Sequence, residues 1–271
     1  MQPRFSVITP VLNGLKHVPS YVECLKRQTY TNWEAIVIDD GSTDGTNELL
    51  QELTAGDSRF RYTYNTLPRQ VPGPYQARNV GLELVRGEFI CFLDIDDYWL
   101  PNKLIIQTAQ LKRKPHLRLL YSTYLRSNRQ LTYGKIRHSP PILGPKSWIH
   151  LANPVPMLTA CVDRDIINGL RFEPFHHEDF LFWHAVLLSL QDEQLEEYQY
   201  PLAIYNVHSA STSCNKLKAT GWIWHCYRRI GYSRSRASVA LVGRAMLQAW
   251  LIGRRLISRP INLKPIIGHL E

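Results

Sequence analysis

Short apolar runs alternate with amphipathic stretches through the first hundred residues. Residues 5–10 (Phe-Ser-Val-Ile-Thr-Pro) are apolar, β-branched and closed by a proline, the pattern of a buried strand. Val18, Tyr21, Val22 and Leu25 then recur at helical spacing across residues 18–28. A second apolar run, 33–38, ends in Asp39-Asp40-Gly41-Ser42, and residues 46–53 predict a helix that Asp44 or Ser42 could cap. Residues 59–64 read as a more exposed strand, 75–85 as a helix, and 88–93 as a fourth strand running into Asp94-Ile95-Asp96-Asp97. Beyond that the pattern is less regular. It predicts a helix at 104–111, a strand at 117–125, a loop-rich stretch over 135–156, a helix from Asp179 onward and a last strand at 202–207.

Strands alternating with helices predict an α/β fold, a mostly parallel sheet flanked by helices. Ligands of such sheets sit beyond the carboxyl ends of the strands. Two of those ends carry acids here: Asp39 and Asp40 at one, Asp94, Asp96 and Asp97 at the other. A carboxylate-x-carboxylate can aim two acids at one point. Hard cations such as Mg2+ or Mn2+ favour such oxygens, usually with a diphosphate completing the sphere. The cation would offset charge on a departing nucleotide diphosphate. Taken alone, Asp-x-Asp equally describes a solvated turn or a helix cap, Asp97 above all.

The run from Asp39 to Thr46 is richer. A carboxylate at a strand end can accept from nucleobase and ribose donors, and its glycines allow close approach, although a capping turn explains part of the run. Glu178-Asp179 opens an aromatic helix and could supply a general base, which must reach a hydroxyl and stay ionised near neutral pH. A helix start favours that charge, and equally favours acids for stability alone. His176, His177 and His184 suit metal or acid–base work by type, and surface or packing roles by spacing.

Five blocks occur in order: residues 6–13, 38–45, 77–81 (Ala-Arg-Asn-Val-Gly), 92–97 and Glu178-Asp179. Together they resemble the bacterial inverting glycosyltransferases of family 2, with the Rossmann-like GT-A fold, over about residues 4 to 210. The resemblance implies a nucleotide-diphosphate sugar donor, a UDP-sugar by family frequency, and a divalent metal, Mn2+ or Mg2+. By position, Pro10, Val11 and Asn13 would border the nucleotide; Asp40 would face the base with Asp39 beside it; Arg78 would lie near the nucleotide or diphosphate. Asp96 would be the direct metal ligand, Asp94 its partner, and Asp179 the base for a single displacement. Residues 205–211 resemble the family's closing segment, where His208 would approach metal and diphosphate, although Asn206 stands where an arginine is common. The Gln-x-x-Arg-Trp signature of processive synthases is missing. The resemblance therefore implies transfer of one sugar to a saccharide or lipid-linked acceptor in cell-surface glycan synthesis.

Charge separates the tail from the rest. Of 32 basic and 23 acidic residues, 216–271 hold 11 and one, leaving a nearly neutral body behind a net +9. The expected units are therefore residues 1–215, with a nucleotide-binding half (1–100) and an acceptor-binding half (101–215), and a basic helical tail, 216–271. Over 235–259, Val239, Val242, Met246, Trp250, Gly253 and Ile257 form an apolar stripe opposite Arg236, Arg244, Gln248, Arg255 and Arg259. That reads as an element lying on an anionic membrane surface, or as a helix packed on the domain or on a second copy of the chain. No nucleic-acid motif accompanies the tail, and the neutral body disfavours a phosphate-tracking surface, so no nucleic-acid partner is expected.

Cys24, Cys91, Cys161, Cys214 and Cys226 are widely spaced with no C-x-x-C pair, as reduced thiols would be. There is no basic and apolar leader before residue 5 and no uninterrupted run of ~18 apolar residues. The expected location is cytoplasmic, peripheral at the inner face of the plasma membrane. A non-catalytic nucleotide-sugar-binding or scaffold protein remains the alternative; intact Asp94, Asp96 and Asp179 count against it.

Overall fold

The computed structural model describes residues 4–66, 71–127, 132–137, 150–151, 153–207, 216–257 and 260–263; His208 and Cys214 lie outside these. Strand β1 (Phe5–Val11) is buried along its whole length. Its odd positions, Phe5 and Val7, enter one core with Trp33, Ala35 and Val37 of β2 (Trp33–Asp39), while Ile8 enters a second core with Ile36 and Ile38. This is why the sequence reads as continuous apolar runs: both faces of these strands are covered. The first core is closed by α1 (Val18–Lys26) and α2 (Thr46–Thr54), the second by α3 (Tyr75–Leu84). β3 (Phe60–Tyr64) and β4 (Phe89–Phe92) complete the parallel part, in the spatial order β4-β1-β2-β3.

After β4 the chain departs from simple alternation. β5 (Tyr98–Trp99) leads to α4 (Lys103–Arg113), and residues 117–125 form two strands instead of one, β6 (Leu119–Ser122) and β7 (Tyr124–Ser127). The break at Thr123 sends them into different sheets. β8 (Tyr133–Arg137) lies where a loop is expected, and β9 (Cys161–Asp163) inserts antiparallel between β4 and β6. Next come α5 (Glu178–Ser189), β10 (Leu195–Tyr198) and β11 (Ala203–Tyr205). The large sheet is therefore β10-β6-β9-β4-β1-β2-β3, mostly parallel with one reversed strand. α5 roofs its second core with Phe182, Trp183, Val186 and Leu187.

The basic tail forms α6 (Lys216–Arg229) and α7 (Arg234–Ile257). Ile223, Cys226 and Tyr227 of α6, with Ala237 and Ala240 of α7, bury against Phe180 and Leu181 of α5. The chain then returns as β12 (Ile261–Asn262), antiparallel to β8, in a small sheet ordered β12-β8-β7-β11-β5. Val239, Val242, Met246 and Trp250 face outward, 72%, 61%, 70% and 40% exposed. No described helix is long and apolar enough to cross a membrane. Among the described residues, Cys24, Cys91, Cys161 and Cys226 are free and buried.

Candidate active site

The carboxyl ends of β1, β2 and β4 lie along one edge because the three strands run parallel in register. The loops leaving them are tied together. The Asn13 amide donates to Ser42 Oγ at 2.9 Å, and Asn13 Oδ1 accepts from the Thr43 amide at 2.9 Å. Asn13 takes a left-handed conformation (φ 50°), a state asparagine tolerates better than most residues. Gly14 donates to Thr46 Oγ1 at 2.9 Å, and a Cβ there would stand only 3.1 Å from Ile95 Cγ2, between the two aspartates of the third loop. Pro10 and Val11 are buried just behind.

The two acids ending β2 have different surroundings. Asp39 is buried; one oxygen accepts from the Ser42 amide and hydroxyl at 2.9 and 2.6 Å, the other from Asn47 Nδ2. It shapes the turn. Asp40 is half-buried and accepts from Asn65 Nδ2 at 2.7 Å. Asn65 follows β3, so the parallel neighbour of β2 supplies this contact. Topology could have pointed to it; no local motif does.

The centre of the arrangement is Arg78, on the buried face of α3. Its guanidinium, 5% exposed, donates to Asp94 Oδ1 at 2.9 Å and to Glu178 Oε1 at 2.9 Å. Burial alone would weaken its charge, but Asp94 and Glu178 more than offset this and raise its pKa. Burial pushes the Glu178 carboxyl up from the ordinary value, while Arg78 pulls it back. One cation thus joins the Asp-x-Asp turn to the start of α5. Asp179, next along, is half-buried and accepts from Asn153 Nδ2 at 3.0 Å. His177, the residue before α5, has φ 65°, a strained state for a histidine and one that marks functional sites.

Asp94 keeps 41% of its side chain open and Asp96 is half-buried. Asp97 is buried and serves the fold: its Oδ1 accepts from the Asn206 amide at 2.9 Å, tying β11 to the turn, and burial, then Asp96 and Asp94, hold its carboxyl well above the usual range. Two carboxylates are a hard-oxygen donor set that fits Mg2+ or Mn2+. Among the described residues no three His, Cys, Asp or Glu gather as a metal-holding group. His208 lies outside the described residues.

Acids at the ends of β2 and β4 and at the start of α5, with one buried arginine joining Asp94 to Glu178, suit transfer from an anionic nucleotide donor. The family model for glycosyl transferase family 2 matches residues 6–177. The chain belongs to that family. It is a glycosyltransferase, as its relatives are. It is 30% identical over 221 residues to the UDP-Glc:alpha-D-GlcNAc-diphosphoundecaprenol beta-1,3-glucosyltransferase WfgD of Escherichia coli, covering 81% of this chain and 83% of that one. A putative teichuronic acid biosynthesis glycosyltransferase, TuaG of Bacillus subtilis, is 30% identical over 232 residues, 84% and 89% of the two chains. The fold is shared with S. aureus TarS 1-349 in complex with UDP-GlcNAc (TM-score 0.67, 19% identity, 89% of this chain and 71% of that one). It is also shared with the mannosyltransferase PcManGT from Pyrobaculum calidifontis in complex with GDP-Man and Mn2+ (TM-score 0.64, 16% identity, 93% and 73%). These matches agree with the GT-A architecture, a mostly parallel sheet flanked by helices.

Proposed function

We propose that this glycosyltransferase moves a single sugar, with inversion, from a nucleotide-diphosphate sugar to a hydroxyl of a saccharide or lipid-linked acceptor in cell-surface glycan synthesis. The observation carrying the reading is the Arg78 bridge, which holds Asp94 and the Glu178-Asp179 pair around one place. Pro10, Val11 and Asn13 border the nucleotide, Asp40 takes the base, and Asp39 keeps the turn that presents it. Asp96 and Asp94 would hold Mn2+ or Mg2+ with the diphosphate, and His208 joins them by resemblance. Bound there, the metal supplies positive charge for the leaving diphosphate.

Asp179 takes the proton of the acceptor hydroxyl. The acceptor oxygen bonds to the sugar's anomeric carbon from the face opposite the diphosphate, and the carbon–oxygen bond to the diphosphate breaks with its electron pair on that oxygen. Of the two adjacent acids Asp179 suits this task, since Glu178 is committed to Arg78. A UDP-sugar is favoured because WfgD, by its name, uses UDP-Glc. A diphospholipid-linked acceptor has the same support, and the outward apolar stripe of α7 suits work at a membrane face, the inner one in this reading. Residues 216–271 then form the unit that meets membrane and acceptor.

Incubating the protein with a panel of UDP- and GDP-sugars, with and without Mn2+, tests the reading. Metal-dependent release of nucleoside diphosphate from one donor is expected, and its loss in Asp96→Ala by a factor of ~10² or more, the scale of an electrostatic contribution in a transition state. No release from any donor, or full activity in that variant, would overturn it.

A further inference from the structure

α6 begins beyond the residues matched by the family model, yet it lies across the start of the helix that carries the proposed base. Cys226 Sγ donates to the His176 carbonyl at 3.6 Å, and Phe180 meets Tyr227 edge-on at 5.7 Å. One turn earlier on the same face of α6 is Trp222. Its indole stacks on the His176 ring, centroids 4.1 Å apart at 23°, and meets His177 edge-on at 6.0 Å. The left-handed backbone of His177 makes the turn that brings both rings to one indole. The neighbours Ile223, Cys226 and Tyr227 are core residues, whereas Trp222 and His176 are only half-buried. A large aromatic surface is thus left partly open two residues from Glu178 and three from Asp179.

The two sides of the α5 start differ. Glu178 faces Arg78 and Asp94, the side of the donor diphosphate. His176 and His177 face α6. A displacement with inversion requires the acceptor opposite the leaving group, so its sugar must arrive on the side away from Arg78. A pyranose presents an apolar C–H face that lies flat on an aromatic ring, whose body is apolar and whose edge is polar. We propose that Trp222, backed by His176, is the acceptor-sugar subsite, placing a pyranose of the acceptor so that its hydroxyl reaches Asp179. The inference rests on the functional reading above and adds where and by which group the acceptor is recognised. Acceptor recognition then falls to α6, beyond the residues that the family model matches.

The test uses the full chain, the donor that the panel identifies, and synthetic undecyl-diphospho-linked GlcNAc, GalNAc, glucose and galactose. For the acceptor that wild type accepts, Trp222→Ala is expected to raise acceptor KM about tenfold or more while donor KM moves less than about twofold, and Trp222→Phe is expected to restore most of the affinity, since a ring is what the site needs. Thermal midpoints of the three proteins control for loss of fold. An acceptor KM that Trp222→Ala leaves unchanged overturns the proposal. So does an equal rise in donor and acceptor constants that Trp222→Phe does not rescue, and so does wild type that hydrolyses its donor yet saturates with none of the four acceptors. Wild type that hydrolyses no nucleotide sugar instead fails the underlying functional reading, a distinct result.

Discussion

Two adjacent carboxylates at the start of α5 meet different neighbours, and the difference divides their roles. Glu178 is committed to a buried arginine, while Asp179 accepts a hydrogen bond from the neutral amide of Asn153. Asp179→Asn should keep donor binding and lower transfer by ~10² or more, the usual worth of a positioned general base. Parallel donor titration and turnover assays check this; normal turnover would move the base elsewhere. At this scale the acids themselves were legible, because their chemistry is carried by residue type and spacing at strand ends. Their partners were not. Arg78 meets Glu178 100 positions along the chain, Asn65 meets Asp40 across 25, and Asn153 sits in a stretch without any motif.

At the scale of elements, the Ala-Arg-Asn-Val-Gly block has a packing reason for its last residue. A Cβ on Gly81 would lie 2.6 Å from Ile8 Cγ2 and 3.0 Å from Ile38 Cδ1, so glycine lets α3 rest against the central strands. Ile8 and Ile38 are fully buried and have no room to yield. Overpacking costs ~1–3 kcal/mol, more than the roughly 0.5–1 kcal/mol alanine gains over glycine in a helix. Gly81→Ala is therefore expected to lower stability by about 1 kcal/mol, read as a lower urea midpoint. The outward stripe of α7 gives a second test. Val242→Glu with Met246→Glu alters exposed side chains only, so the fold should persist while co-sedimentation with phosphatidylglycerol vesicles falls about tenfold or more, given the burial free energy of two such side chains. Unchanged co-sedimentation would assign the stripe to something other than lipid. Deleting residues 216–271 would be a poorer test, since α6 and α7 share a core with α5. The strands and α-helices through β4 followed from periodicity almost to the residue. Of the later ones α4, α5 and β11 also lie where the pattern put them, but β6 and β7 form one apolar run that only sheet membership divides, and β5, β9 and β12 are two or three residues long.

Across the whole molecule, three histidines at and beside α5 couple its packing to pH. Burial lowers the pKa of His150, His177 and His184 below the ordinary value; Arg236 adds to the effect at His150 and His150 at His184, while at His177 Asp179 opposes it and Arg244, then His176, add to it. The folded state thus favours their neutral forms. Protons bind more readily to the unfolded chain, so stability rises with pH through the window below about 6.5 and is lost as pH falls through it. The thermal midpoint is expected to drop between pH 7.5 and 5.5, and to drop less in His184→Phe; equal falls would remove His184 from the account. The sequence alone determined the α/β class, the first parallel strands and the acids at their ends, since these depend on short-range periodicity and on chemistry carried within a few residues. Only the tertiary structure decided that β9 runs backwards between β4 and β6, that Arg78 joins Asp94 to Glu178, and that α6 walls the start of α5. Those features come from contacts between distant segments, whose free energy depends on packing that no local pattern encodes.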